Sequence, residues 1–380
     1  MARRHRPPLW HLALSGGLVV AAVVAIVYVQ SERQPPDPPL PPPPNRAFAS
    51  PPGRPFLATS LRDQADATLE ELGIWPGLIH KSAADGDARS IDTVAVRVPA
   101  DLPLAVVNLS LTNLVASCGG RLLRASEYER PRRVEIRCGM DTLATTLFIL
   151  RHDPGVRRRT GRIAIVLDDF GSMSRHLVGR FCSLPQTLTL AILPNEGDID
   201  DILELARHRG HEVIVHLPME PQEYPERNPG DNAILVSQDE RQIRGLVRAA
   251  VRKVPGAVGF NNHMGSRATA DPRVMAEVLR EVKRQGMLFL DSRTTAASVA
   301  CDMARGMGVR TARRDVFLDP VDQSASPEDQ LWQLAEVAAR KGEAIGVGHD
   351  REETLIALEG ILPRLESRGF RFVPLSALAR

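Results

Sequence analysis

Beyond residue 160 the chain keeps a regular alternation of two patterns. Short apolar runs, "IAIVLDD", "LTLAILP", "EVIVHLP", "AVGFNNH", "MLFLDS", "DVFLDP" and "AIGVGHD", are separated by stretches whose apolar positions recur at helical spacing. Examples of the second kind are "DIDDILELARHRG", "DERQIRGLVRAAVRKV", "DPRVMAEVLREVKRQG" and "PEDQLWQLAEVAARKG". Strand then helix, repeated about seven times, predicts parallel strands joined by helical crossovers, because parallel neighbours cannot be joined by a tight turn. The length of residues 162–380 suits an α/β fold in which these strands curl into a deformed (β/α) barrel of about seven parallel strands.

Residues 59–152 carry a different pattern. A helical opening, "SLRDQADATLEELGI", precedes the strand "TVAVRVP", the apolar-periodic "LPLAVVNLSLTNLVASCGG", and the strands "RLLRASEYE", "RRVEIRCG" and "TTLFILRH". This predicts a small α+β domain. With no clustered His, Cys or acidic set, it reads as a docking module, suited to an envelope protein partner. "HDPGVRRRTGR" then predicts a short basic hinge.

The N-terminal end sets the expected compartment. A basic tail (1–11) precedes "LALSGGLVVAAVVAIVYV", an uncharged stretch close to the ~20 residues that cross a bilayer, so residues 12–30 are expected to form a transmembrane helix. Basic residues before the span place the tail in the cytoplasm and the rest outside. "VYVQSERQ" offers no small-x-small cleavage site, which favours an uncleaved anchor. The expectation is a single-pass protein of a bacterial inner membrane with its C-terminal domains in the periplasm. Residues 31–58, including "RQPPDPPLPPPPNRAFASPPGRP", predict a proline-rich, extended linker.

Composition narrows the partners. With 48 Lys+Arg against 46 Asp+Glu and an aromatic content of 4%, the chain lacks the basic surface and the stacking platforms of a nucleic-acid binder. Cys118 and Cys138 flank the strand pair of the small domain, and outside the cytoplasm they could bridge; Cys182 and Cys301 read as buried thiols.

Asp168 and Asp169, His216, His263, Asp291, Asp319 and His349 each stand at or just past the C-terminal end of an apolar run. In a parallel barrel those ends share one face, where active sites assemble. Imidazole and carboxylate suit Zn²⁺ or a similar divalent ion, and a catalytic site needs about three protein ligands. Adjacent aspartates at a strand end point in different directions, so one can hold the metal while the other takes a proton from water; His349, across the mouth, can protonate a leaving group. Plainer roles are also open: Glu220 as a solvated loop residue, Asn261 and Asn262 as turn residues, Asp319 before Pro320 as the start of a turn, and His208 and His211 as exposed side chains.

In this order, "AIVLDDFG", "HLPMEP", "GFNNHMGS", "FLDSRT", "AIGVGHDREETL" and "GFRFVPLS" resemble the divergent polysaccharide deacetylases, envelope proteins related to the larger NodB-type carbohydrate esterases. The resemblance covers about residues 162–378. It implies a deformed barrel, a divalent metal ion with Zn²⁺ expected, and removal of acetyl groups from an N-acetylated glycan such as peptidoglycan or another envelope polysaccharide. It implies Asp168 as catalytic base, Asp169 and His216 as metal ligands and His349 as general acid. Asp291 and Arg293 fall where the family orients the base. Glu220 occupies the place of the second histidine of the usual H-x-x-x-H motif, a departure from the pattern. His263, where typical members carry Arg-Pro-Tyr, is expected to restore the ligand, with Glu220, Asn262 and Asp319 as auxiliaries. The alternative function, motivated by the altered motif, is an envelope scaffold or glycan-binding protein that keeps the barrel and has lost the reaction.

Overall fold

Helix ends are marked in the sequence, and the computed structural model places them accordingly. It describes residues 54–380 apart from 84–90, 131, 172–173 and 321–324. The expected cytoplasmic tail, the transmembrane segment and most of the proline-rich linker lie outside the described residues. Among the described residues no helix is long and apolar enough to cross a membrane.

The first described part is a five-stranded sheet with two helices. It comprises α1 (Arg54–Glu71), β1 (Ile79–Ser82), β2 (Asp92–Pro99), α2 (Leu104–Ser117), β3 (Arg121–Glu129), β4 (Arg132–Met140) and β5 (Leu143–Asp153), with strand order β1-β2-β5-β4-β3. Leu57, Leu61, Ala65 and Leu69 follow one another at four-residue spacing, which puts them on one face of α1, and all four are fully buried. They share a core with Val94, Val96 and Val98 and with Ile136, Phe148 and Leu150, which come from alternating positions on their strands.

All four cysteines are free thiols, so the Cys118–Cys138 bridge that the sequence left open is not formed. Cys138 continues the inward-facing series Val134, Ile136 and is fully buried, and that burial pushes its thiol up to about 12. Cys182 and Cys301 are buried in the second part of the chain.

That second part is a parallel sheet of β6 (Arg162–Phe170), β7 (Thr189–Ile192), β8 (Glu212–Met219), β9 (Gly259–Met264), β10 (Leu288–Asp291), β11 (Thr311–Arg313), β12 (Val316–Phe317) and β13 (Glu343–His349). The order is β11-β10-β9-β8-β7-β6-β13-β12, and a short β14 (Arg371–Phe372) pairs with the start of β6. Only Arg314 and Asp315 separate β11 from β12, although these strands lie at opposite edges of the pairing order. The sheet therefore curls until its edges meet, giving a barrel whose seam has no ladder.

Helices α3 (Arg175–Ser183), α4 (Ile199–Arg209), α5 (Glu240–Lys253), α6 (Pro272–Arg284), α7 (Ala300–Gly306), α8 (Pro327–Lys341) and α9 (Glu352–Ser367) connect or follow the strands. Ser174, Asp198, Asp239, Asp271 and Ser326 cap helix N-termini with their side chains, and Asp239 with Gln242 forms a reciprocal capping box. Gly210 and Gly342 close α4 and α8 in the left-handed conformation. A large apolar layer lies between the sheet and its helices. Inside the barrel a smaller cluster of Ala164, Val166, Ile214, Leu290 and Val347 is joined by Leu375 and Leu378 of the C-terminal segment. Arg380 exchanges backbone hydrogen bonds with Thr311, so the chain end is stitched to the start of β11. The bottom of the barrel is thus filled, and open space lies at the C-terminal strand ends.

The segment read as a basic hinge is pinned. Arg158 pairs with Asp101 at 2.9 Å and donates to the carbonyls of Leu72 and Ser367, while Thr160 donates to Gly369 O. These bonds reach from the small sheet to the end of α9. Gly161 follows, and a Cβ there would stand 2.4 Å from the carbonyl oxygen of Ala338 in α8. Gly161→Ala is therefore expected to destabilise the fold by about 1–3 kcal/mol, because backbone must shift to admit the methyl group. Chemical denaturation read by circular dichroism checks this.

Candidate active site

The site begins with a break in a ladder. Along a regular strand Asp168 and Asp169 would face opposite sides. The pairing of β6 with β7 slips between Leu167 and Phe170, and Asp169 takes a φ of 68°, a left-handed conformation uncommon for a residue with a side chain. Both carboxylates consequently line one pocket, where divergent directions were expected. Met264 and Arg293, at the ends of β9 and β10, also have positive φ.

Register does the rest. His349 of β13 is paired with Asp168 of β6, and His216 of β8 with Asn261 of β9. His263, two residues beyond Asn261, falls on the same face. Asp169 Oδ1 lies 3.0 Å from His216 Nε2 and 2.9 Å from His263 Nδ1, and those two nitrogens are 3.1 Å apart. Together with Asp168 and His349 they line a pocket of about 450 Å³.

Asn261, fully buried, organises the back of this triangle. Its side-chain oxygen accepts from His216 Nδ1 at 2.8 Å, which turns Nε2 toward Asp169. Its amide donates to Asp168 Oδ1 at 2.7 Å and to Ser292 Oγ at 3.1 Å. The reading of Asn261 and Asn262 as turn residues is corrected, since both lie in β9. Asn262 accepts from Ser292 N–H and donates to Met264 O, tying two strand ends together.

Charges are strongly coupled here. Burial pushes the Asp168 carboxyl above its ordinary range, against the pull of His216 and His349. Asp169 is also penalised by burial, but hydrogen bonds from His216 and His263 outweigh it and hold this carboxyl well below the usual range. His216 is opposed by burial too, and the carboxylates on its two sides push it up to about 9. His349 rises in the same way through Asp319.

The triangle of Asp169, His216 and His263 fits a divalent cation. Three atoms bearing lone pairs, one hard oxygen and two borderline nitrogens, converge within 4.8 Å of one another. Such a set repels itself unless a positive charge lies among them, and the raised His216 is that demand met by a proton.

Other expected site residues are placed differently. Asp319, read as a possible turn residue, is buried and accepts from His349 Nδ1 at 2.9 Å, from its backbone N–H at 2.8 Å and from Thr354 Oγ1 at 2.7 Å. Asp291 uses its oxygens on Arg293 N–H and Ser298 Oγ, fastening the loop after β10. The guanidinium of Arg293 is exposed at the pocket lip, and Asn261 is the residue bonded to Asp168. Glu220 accepts from Val236 N–H at 2.6 Å and pairs with Arg267 at 2.7 Å, so it locks loops and stands outside the cation triangle. His208 is exposed, but His211 is buried and bridges Leu188 N–H and Cys182 O. Sequence reasoning missed Arg314, Ser292 and Phe317. Arg314 donates to the carbonyls of Ser292 and Arg293 and lies over the Phe317 ring. Its one sequence signal, a place between two strands too short to show alternation, is weak.

The curled parallel β/α sheet, with aspartates and histidines gathered at its strand ends, is the deformed barrel expected from the sequence. The profile of the divergent polysaccharide deacetylases matches residues 165–379, and the chain belongs to that family. The uncharacterized protein YibQ of Escherichia coli K12 is 35% identical over 205 residues, which cover 54% of this chain and 63% of that protein. An uncharacterized protein of Haemophilus influenzae Rd is 32% identical over 204 residues, 54% of this chain and 72% of that one. The crystal structure of the uncharacterized protein ATU2773 from Agrobacterium tumefaciens C58 is 28% identical, with a TM-score of 0.55, and the match covers 59% of this chain and 92% of that one.

Proposed function

We propose that this protein is a metal-dependent deacetylase that hydrolyses the acetamido group of an N-acetylated envelope polysaccharide. The observation that carries the reading is the triangle of Asp169, His216 and His263 with Asp168 and His349 beside it in one pocket. A divalent ion held by that triangle would polarise the acetyl carbonyl and the attacking water. Asp168, held at Oδ1 by Asn261, takes a proton from the water, whose oxygen bonds to the acetyl carbon. The C–N bond breaks, and protonated His349 delivers a proton to the departing nitrogen, giving acetate and an amine. Asp319 keeps His349 charged and oriented for that step.

The test is acetate release from peptidoglycan strands, chito-oligosaccharide and other N-acetylated glycans, with Zn²⁺, Co²⁺ or Mn²⁺ added and then chelated. Absence of metal-dependent release from all of them overturns the proposal. A second expectation concerns pH. Activity falls in acid as Asp168 is protonated through its raised pKa, and in base as His349 loses its proton. Asp319→Asn removes what raises His349, so the alkaline limb of kcat moves to lower pH and kcat drops about 10-fold or more. A kcat profile from pH 5 to 10 reads both effects, and an unmoved alkaline limb rejects the assignment of His349.

Anchoring by residues 12–30, with the C-terminal domains in the periplasm, belongs to the same proposal and is supported by the charge-free stretch after a basic tail. Fractionation with alkaline extraction, and protease accessibility in spheroplasts, test it.

A further inference from the structure

The floor of the pocket holds Asp168 and Asp169, yet its lip is basic. Arg227, Arg293 and Arg314 line it, against a single carboxylate there among the described residues, Glu223. Elsewhere on the surface Arg180, Arg244, Arg280 and Arg284 are ion-paired, whereas exposed Arg207, Arg209, Arg241 and Arg252 have no carboxylate partner among the described residues. It is the convergence of guanidiniums on one pocket that sets this place apart. Arg227 and Arg293 are exposed, and neither guanidinium has a carboxylate partner among the described residues. Arg293 is presented by a residue with a φ of 51°, and its carbonyl is held by Arg314 at 3.0 Å, so its backbone is fixed at the lip. Arg314 itself is desolvated, which lowers its pKa, and its Nε is spent on Ser292 O at 2.6 Å. Exposed guanidiniums lining a pocket about 450 Å³ in volume, large enough for a small ligand, are the chemistry that grips carboxylate with paired N–H donors.

We infer that the sugar recognised at this site carries a carboxylate next to its acetamido unit, so that the substrate class is an acidic N-acetylated glycan, with Arg227 and Arg293 as the residues that select it. The inference rests on the deacetylase reading for its turnover assay and on binding alone for its charge assay. The carboxylate has two chemical sources, a lactyl ether on an amino sugar or a neighbouring uronate.

Full-length, metal-loaded protein is given four glycans: peptide-free peptidoglycan strands with free lactyl carboxylates, the same strands amidated with carbodiimide, a polymer alternating uronate with N-acetylglucosamine, and neutral chito-oligosaccharide. Calorimetric binding and acetate release are both recorded. The expected result is at least 10-fold higher kcat/KM and affinity for one or both acidic glycans than for the amidated and neutral ones, a preference that shrinks as salt is raised. In the Arg227→Gln/Arg293→Gln double variant that acidic-to-neutral ratio falls about 10-fold, mainly through KM, and Arg227→Lys/Arg293→Lys keeps most of it. Which acidic polymer is preferred identifies the source of the carboxylate. Equal handling of free and amidated strands, or a ratio unmoved in the double variant, overturns the inference. If no glycan releases acetate, the deacetylase reading fails, while the binding ratios still decide the charge preference.

Discussion

Asp168→Asn is expected to lower kcat for acetate release by about 10²–10⁴-fold while metal content stays at the wild-type level. The asymmetry comes from the geometry. Asp168 is not one of the three converging donor atoms; it sits beside them, 3.7 Å from His216 Nδ1, with its Oδ1 held by Asn261. Asparagine matches its shape, and its side-chain oxygen can still accept from Asn261, so the buried packing survives. What is lost is the proton acceptor. Burial makes Asp168 a stronger base than an exposed aspartate, and an amide has no corresponding basicity. Steady-state acetate release combined with elemental analysis of the same preparation separates the two effects. Retention of activity within 10-fold of wild type would remove Asp168 from the mechanism.

The second large effect is loss of the metal in His263→Ala and in His216→Ala, contrasted with its retention in Glu220→Ala. Each histidine supplies one vertex of the triangle, and a two-donor remnant holds a divalent ion far more weakly. The fall in affinity is expected to exceed the roughly 10–100-fold typical of losing a residue that merely orients a ligand. Glu220 occupies the sequence place of the missing histidine, yet its carboxylate is committed to Val236 N–H and Arg267. Its removal leaves a part-buried N–H without its acceptor and a half-exposed guanidinium without its partner, so Glu220→Ala should destabilise the fold by about 1 kcal/mol and leave the metal in place. Metal content after dialysis, with thermal melts of the same samples, checks both arms. A variant set in which Glu220→Ala loses metal and His263→Ala keeps it would reverse the assignment.

Much of the scaffold was legible because it is written locally. Helical spacing and side-chain caps such as Asp198, Asp271 and Ser326 mark where helices begin, and apolar runs mark the strands. The strands left unread, β1, β11 and β14, have four, three and two residues, too few for a two-residue period to stand out. Misplaced roles have a common origin. Asn261, Asp319, His211 and Glu220 all find their partners far along the chain, for example 93 residues for Asn261 with Asp168 and 30 for Asp319 with His349.

The sequence by itself determined that aspartates and histidines stand at the ends of parallel strands, since that follows from short-range periodicity. It also determined which positions carry donor atoms suited to a divalent cation. Only the tertiary structure decided that Asp168 and Asp169 face the same pocket, through a slipped ladder and one left-handed residue. Likewise it decided that His263 completes the triangle while Glu220 serves the loops, and that the exposed Arg227 and Arg293 share the pocket's lining. The physical reason is one of range: the period of a strand depends on neighbours in the chain, whereas register, bulge and barrel closure depend on pairings between segments that the local pattern does not encode.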